Sequence, residues 1–161
     1  MAKQGSKTNA MRMLDRAGVP YAVHTYGSDD GKIDGVSVAA KVGLDPVGVY
    51  KTLVTRGASK GVFVFVIPVA AELDLKKAAR AVGEKSIQMV HVDEIDPLTG
   101  YIRGGCTPIG MKKQFPTFIH ESAADFDTII ISGGRIGVQL ILSPQDLIKV
   151  TRGQFADIIM H

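Results

Sequence analysis

Two neighbouring stretches decide the fold: Val49-Tyr50-Lys51-Thr52-Leu53-Val54-Thr55 and Val62-Phe63-Val64-Phe65-Val66-Ile67. The second is an unbroken apolar run rich in Val and Phe. Such a run predicts a central strand buried on both faces. The first alternates, which places Lys51 on the same face as Val49 and Leu53. A lysine among apolar neighbours on one face is costly unless it meets an anion or reaches water. Two readings stand for it: a lysine lining a cleft, or an edge-strand lysine that deters aggregation.

Working outward, helical spacing of Ala10, Met11, Leu14 and Ala17 predicts a helix over Lys7–Ala17 that stops at Gly18. Tyr21–Tyr26 alternates as a strand, and Gly27–Gly35 is a polar loop. Ser37 is placed to cap a short helix through Val42, and Asp45-Pro46 to start another turn. Asp74 predicts a helix over Leu75–Val82, closed by Gly83. Strands are expected at Ile87–Val90, Thr117–His120, Thr128–Ser132 and Val138–Leu142, with one helical turn at Asp93–Leu98. Ser143-Pro144 opens a further helix, and Gln154–Met160 reads as a last short one. Helices mixed with strands on short glycine turns predict an α+β fold, not a doubly wound parallel sheet.

The 161 residues suffice for one domain with its own core. Residues 1–6 read as a flexible tail and 7–161 as a single domain. Lys and Arg number 19 against 16 Asp and Glu, a net charge of +3. That excess is too small for a protein that coats nucleic acid by bulk charge, though it permits a local patch. The lone Cys106 excludes an intrachain disulfide framework. The apolar run at 62–67 is far too short to span a bilayer, and no leader is visible, so a cytoplasmic protein is expected. Glycine is the unusual count, 18 residues where ~7% of a chain is ordinary.

The glycines concentrate in Gly104-Gly105-Cys106-Thr107-Pro108-Ile109-Gly110-Met111-Lys112-Lys113. Three glycines, a hydroxyl and two lysines suit a backbone cradle for an anion or a carbonyl, or simply a turn. Met111 stands where a phosphate-binding P-loop needs its lysine, which rejects a nucleotide triphosphatase. Ser132-Gly133-Gly134 ends the Ile129-Ile130-Ile131 strand and can present a hydroxyl to a pocket, or serve as plain hairpin chemistry. Cys106 has no histidine at a catalytic spacing and reads as a structural thiol. One Cys and four scattered His give no metal-ligand spacing, so neither metal nor cofactor is expected.

Taken in order, several short pieces together resemble the YbaK/EbsC family of cysteinyl-tRNA(Pro) deacylases and the related editing domain of bacterial prolyl-tRNA synthetases. They are His24-Thr25-Tyr26, Val49 to Leu53, Ile67-Pro68-Val69, Glu72 to Lys77, Gly100-Tyr101, Gly104 to Gly110, Lys112-Lys113, Ser132-Gly133-Gly134 and Phe155 to Ile158. The resemblance runs from about Thr8 to Ile158. It implies a mixed, partly barrel-like sheet flanked by helices, and a free-standing enzyme that removes cysteine from mischarged tRNA(Pro), extending to tRNA(Cys). In that family the substrate's own thiol attacks its carbonyl and leaves as a thiolactone. The partners implied are the aminoacylated tRNA acceptor end and prolyl-tRNA synthetase, with no membrane.

The family's retained lysine falls on Lys51, its loop glycine on Gly104 and its strand-end serine on Ser132, the expected catalytic set. Tyr26, Gly105 and Thr107 fall on substrate-binding positions. Two positions depart from the pattern: Asp34 stands near a pocket phenylalanine, and Gln139 replaces an aspartate after the Ser-Gly-Gly turn. Other readings remain open at this point: hydrolytic editing of alanyl-tRNA(Pro), a non-catalytic nucleotide- or oligonucleotide-binding module, and a Cys106 hydrolase.

Overall fold

The computed structural model describes residues 6–25 and 48–160. The expected short helix after Ser37 and the turn at Asp45-Pro46 lie outside them. Helix α1 (Asn9–Ala17) starts where the Thr8 hydroxyl accepts from the Met11 N–H, and ends at Gly18 in the left-handed region. Its apolar stripe, Ala10, Met11 and Leu14, is buried.

Strands β1 (Ala22–Thr25), β2 (Tyr50–Gly57) and β3 (Val62–Pro68) are followed by α2 (Leu75–Val82) and β4 (Ile87–Met89). Asp74 caps α2 by accepting from the Lys76 and Lys77 N–H groups at 3.0 and 3.1 Å. Helix α3 (Val92–Thr99) is longer than the single turn expected: Glu94 folds back onto the His91 N–H at its start, and the helix continues through Pro97 to Gly100 in the left-handed region. Strand β5 (Thr117–His120) leads through a 3₁₀ turn (Glu121–Asp125) to β6 (Ile129–Ser132) and β7 (Val138–Leu142), then α4 (Pro144–Thr151) and β8 (Gln154–Ala156).

The strands form two sheets, β1-β7-β6 and β4-β2-β3-β5-β8. The first is antiparallel. The second is mixed: β4, β2 and β3 run antiparallel, while β5 and β8 add in parallel. A single parallel bridge, Val49 to Ile130, ties the two together. The fold is α+β with a mixed sheet, as expected, but the sheets do not close into a barrel.

β3 is the central strand that its apolar run predicts. Val66 packs into a core with Leu14, Ile119, Ile131, Leu140 and Leu147. Phe65 and Ile67 point into a second core with Ala78, Ala79, Phe118 and Ile158. Phe65 and Phe118 stack with ring centroids 5.7 Å apart.

The last expected helix is instead β8. Phe155 packs against the first core and Ala156 against the second, the period-two alternation of a strand. The free edge of β5 supplies the hydrogen-bond partners that settle it. Among the described residues no helix is long and apolar enough to cross a membrane.

Candidate active site

The two sheets bring three of the expected residues to one face. In the small sheet, Gln139 of β7 lies between His24 of β1 and Ser132 of β6 in register. Cross-strand partners share a face, so these three side chains form a row. Ile130, on the same face, bridges to Val49 and packs with it against Val69. Two residues further along each of these parallel strands, on that same face, stand Lys51 and Ser132.

Lys51 is half-buried and lies directly opposite Ile67. β2 sits between β4 and β3, but β4 covers only Thr55–Gly57, so at Lys51 the ladder partner is β3 alone. Burial lowers the Lys51 pKa below its ordinary value, and the nearby Glu72 carboxylate partly opposes this. A partly desolvated ammonium gains most from an anion or a developing negative charge.

The glycine loop is fastened to this row. The Ser132 hydroxyl donates to the Gly104 carbonyl at 3.1 Å. Gly104 has φ of 90°, a conformation that favours glycine. Tyr101 Oη donates to the Ile109 carbonyl at 2.7 Å, and Asn9 Nδ2 to the Gly110 carbonyl at 2.6 Å. Gly105 lies so close to the Arg135 backbone that a Cβ there would stand 2.7 Å from Arg135 Cα.

One expectation needs correcting. The Gly105 N–H, a candidate donor to the substrate carbonyl, donates instead to the Ile102 carbonyl at 3.0 Å within its own turn. Gly104 N–H has no backbone partner among the described residues. The proton of Ser132 is likewise committed to the loop, which leaves its lone pairs for a substrate hydroxyl or amine.

Three buried side-chain oxygens have no hydrogen-bond partner among the described residues: Thr52 Oγ1, Thr107 Oγ1 and Gln139 Oε1. Each belongs to a segment that carries a candidate residue: Thr52 beside Lys51, Thr107 in the glycine loop, Gln139 opposite Ser132. Thr52 faces the opposite side of β2 from Lys51, whereas Gln139 shares the row of Ser132; an unpaired buried polar group costs ~1–3 kcal/mol, which a ligand reaching Gln139 would offset. Tyr26 and Asp34 lie outside the described residues.

Sequence reasoning missed the groups that hold the loop. Asn9, Tyr101 and the Arg135 backbone are far apart in the chain and carry no motif. Only Tyr101 had a signal, as the residue after Gly100 in the stretch that resembles the family. Glu72 also escaped notice as the carboxylate nearest Lys51 in effect.

Cys106 is buried against Val54 and Tyr101. Burial pushes its pKa up to about 12, against a smaller opposing effect of the Thr99 hydroxyl. At neutral pH it is a thiol, and a thiol is not the nucleophilic form. Cys106→Ala should therefore keep deacylation within about twofold of wild type. A hundredfold loss with an unchanged melting temperature would make the sulfur a participant.

A sequence profile of the aminoacyl-tRNA editing domain family matches residues 34–150. EbsC of Enterococcus faecalis (strain ATCC 700802 / V583), a proposed Cys-tRNA(Pro)/Cys-tRNA(Cys) deacylase, is 46% identical over 156 residues, covering 97% of this chain and 95% of that protein. The crystal structure of a proposed trans-editing enzyme for prolyl tRNA synthetase superposes with a TM-score of 0.83 at 25% identity, over 95% of this chain and 96% of that one. The hypothetical protein APE2540 shares the fold, with a TM-score of 0.85 at 21% identity over 94% and 99% of the two chains.

Proposed function

Because the chain belongs to the aminoacyl-tRNA editing domain family, we propose that residues 7–161 act as one free-standing deacylase that clears cysteine from mischarged tRNA(Pro), and from tRNA(Cys) as well. The match to the Enterococcus protein supports the substrate class. One observation carries the mechanism. The described site offers a charged amine, a backbone N–H and hydroxyls, while its thiol is locked in the protonated form. Such a site positions and stabilises; the nucleophile comes from the substrate.

The cysteinyl thiol attacks its own ester carbonyl, forming the C–S bond. The C–O bond to the terminal ribose breaks and the thiol proton passes to the departing ribose oxygen. The products are a cyclic thiolactone and tRNA with a free 3′ end. Lys51 holds the terminal phosphate or ribose region, and Gly104 N–H receives the carbonyl oxygen as it gains charge. Ser132 and Gln139 face the ribose and the amino group, and Tyr26, Gly105, Thr107 and Asp34 are the further substrate-binding residues that the family resemblance proposes. The work takes place in the cytoplasm, with prolyl-tRNA synthetase delivering the substrate.

Deacylation of a panel of charged tRNAs tests this. Cys-tRNA(Pro) should be cleared at least tenfold faster than Ser-tRNA(Pro), since a hydroxyl is the poorer internal nucleophile, and a thiolactone or its hydrolysis product should appear. Equal clearance of serine and cysteine would overturn the thiol-assisted step. Faster clearance of Ala-tRNA(Pro) would replace it with attack by water.

A further inference from the structure

The sheet face that carries Lys51 is covered by α2. Leu53 and Ile67, its neighbours along and across the strands, pack with Ala78 and Ala79 of that helix. Glu72, close enough to influence Lys51, precedes the α2 cap Asp74 by two positions. The helix therefore begins near the proposed reacting centre.

Folding accounts for two of its three cations: Lys77 is paired with Asp157, and Arg80 stands in the last turn, where the helix dipole favours a cation. α2 contains Lys76, Lys77 and Arg80 and no acidic residue. Lys76 and Lys77 occupy the first turn, where the helix dipole disfavours cations and acids are the stabilising choice. Asp74 offsets them from the cap position only. Lys77 is held in place by Asp157 Oδ2 at 3.1 Å and the Ile159 carbonyl at 3.0 Å. Arg80, one turn on and exposed, lines an open groove of about 320 Å³ with Lys77, Ala81 and Asp157.

We propose that this face of α2 is where the phosphodiester backbone of the tRNA acceptor arm docks, with Lys76 and Arg80 each neutralising a phosphate. The inference rests on the editing function above. Charge complementarity supports RNA as the occupant: Lys76 and Arg80 are exposed, four residues apart on one face, and have no ion-pair partner among the described residues. The spacing also fits. Lys76 and Arg80 lie ~6 Å apart along the helix axis, close enough for two long cationic side chains to reach neighbouring phosphates of one strand.

The test is binding of an uncharged RNA hairpin with the tRNA(Pro) acceptor-arm sequence, followed by anisotropy across salt concentration. The variant Lys76→Gln/Arg80→Gln should bind at least tenfold more weakly at low salt. Its slope of log affinity against log salt should be shallower by about 1.4–1.8, the release of two phosphate contacts. KM for charged tRNA should rise while kcat stays within twofold, and an unchanged melting temperature confirms the variant is folded. Unchanged hairpin affinity and slope overturn the proposal, as does loss of binding to prolyl-tRNA synthetase with hairpin binding intact, which would assign the surface to a protein. A wild type that binds the hairpin through α2 yet deacylates nothing supports the docking surface and sinks only the editing function.

Discussion

Replacing Lys51 by Met is expected to lower kcat for deacylation by about 10²–10³, the usual consequence of removing one preorganised charge from beside the departing ribose oxygen. The same change is expected to raise the melting temperature at neutral pH. The stability effect follows from burial, which lowers the Lys51 pKa from its ordinary value. The folded state binds the proton less tightly than the unfolded state. Below the lowered value both states are protonated, and the folded chain bears the full cost of a half-buried ammonium. Between that value and the ordinary lysine pKa the unfolded state binds more protons, so wild-type stability rises with pH. Methionine fills similar space without the charge, so its advantage should shrink as pH rises through the window. Activity moves the other way: deacylation corrected for spontaneous ester hydrolysis should fall as Lys51 loses its proton, at a pH below the ordinary lysine range. A Met variant with wild-type kcat, or one that melts lower at pH 7, would show that Lys51 is a packing residue.

The parts of the fold that sequence reveals are those where local and tertiary demands agree. α2 begins at Asp74 and ends at Gly83 as its sequence predicts, because the cap, the apolar stripe and the left-handed glycine all point to the same boundaries. β3 is legible because its apolar run is Val- and Phe-rich and too short for a buried helix. β8 differs from the helix expected over Gln154–Met160 because that segment is short enough to fit either period, and only the open edge of β5, distant in sequence, decides between them. The site divides in the same way. Lys51 is visible as an anomaly within its own strand, whereas the direction of the Gly105 N–H depends on a turn to Ile102 that composition does not specify. The row of His24, Gln139 and Ser132 is a product of register between strands, which no single segment encodes.

Gly105→Ala is expected to have the second large effect, through shape alone. A methyl group at Gly105 would stand 2.7, 2.8 and 3.0 Å from Cα, C and N of Arg135. All three are backbone atoms, so no rotamer change relieves the contact. Nor can the Arg135 turn yield easily. Gly133 N–H is bonded to the Val138 carbonyl at 2.8 Å, and Val138 N–H to the Arg135 carbonyl at 3.2 Å. A Cβ at Gly133 would itself lie 2.7 Å from the Val138 side chain, so the turn is packed from both sides. Relief must come from the glycine loop backing away, which stretches the Ser132 to Gly104 hydrogen bond and shifts the Gly104 N–H. Overpacking of this kind costs about 3 kcal/mol, or a melting temperature lower by about 6–12 °C for a chain of this size. A displacement of ~1 Å at the cradle is enough to cost about 10² in rate. The two losses should be separable: at a temperature where the variant remains folded by circular dichroism, kcat should still be depressed while hairpin affinity through α2 is unaltered. A Gly105→Ala protein with native stability and rate would mean that the loop moves freely away from Arg135, and the oxyanion donor would then have to be sought outside it.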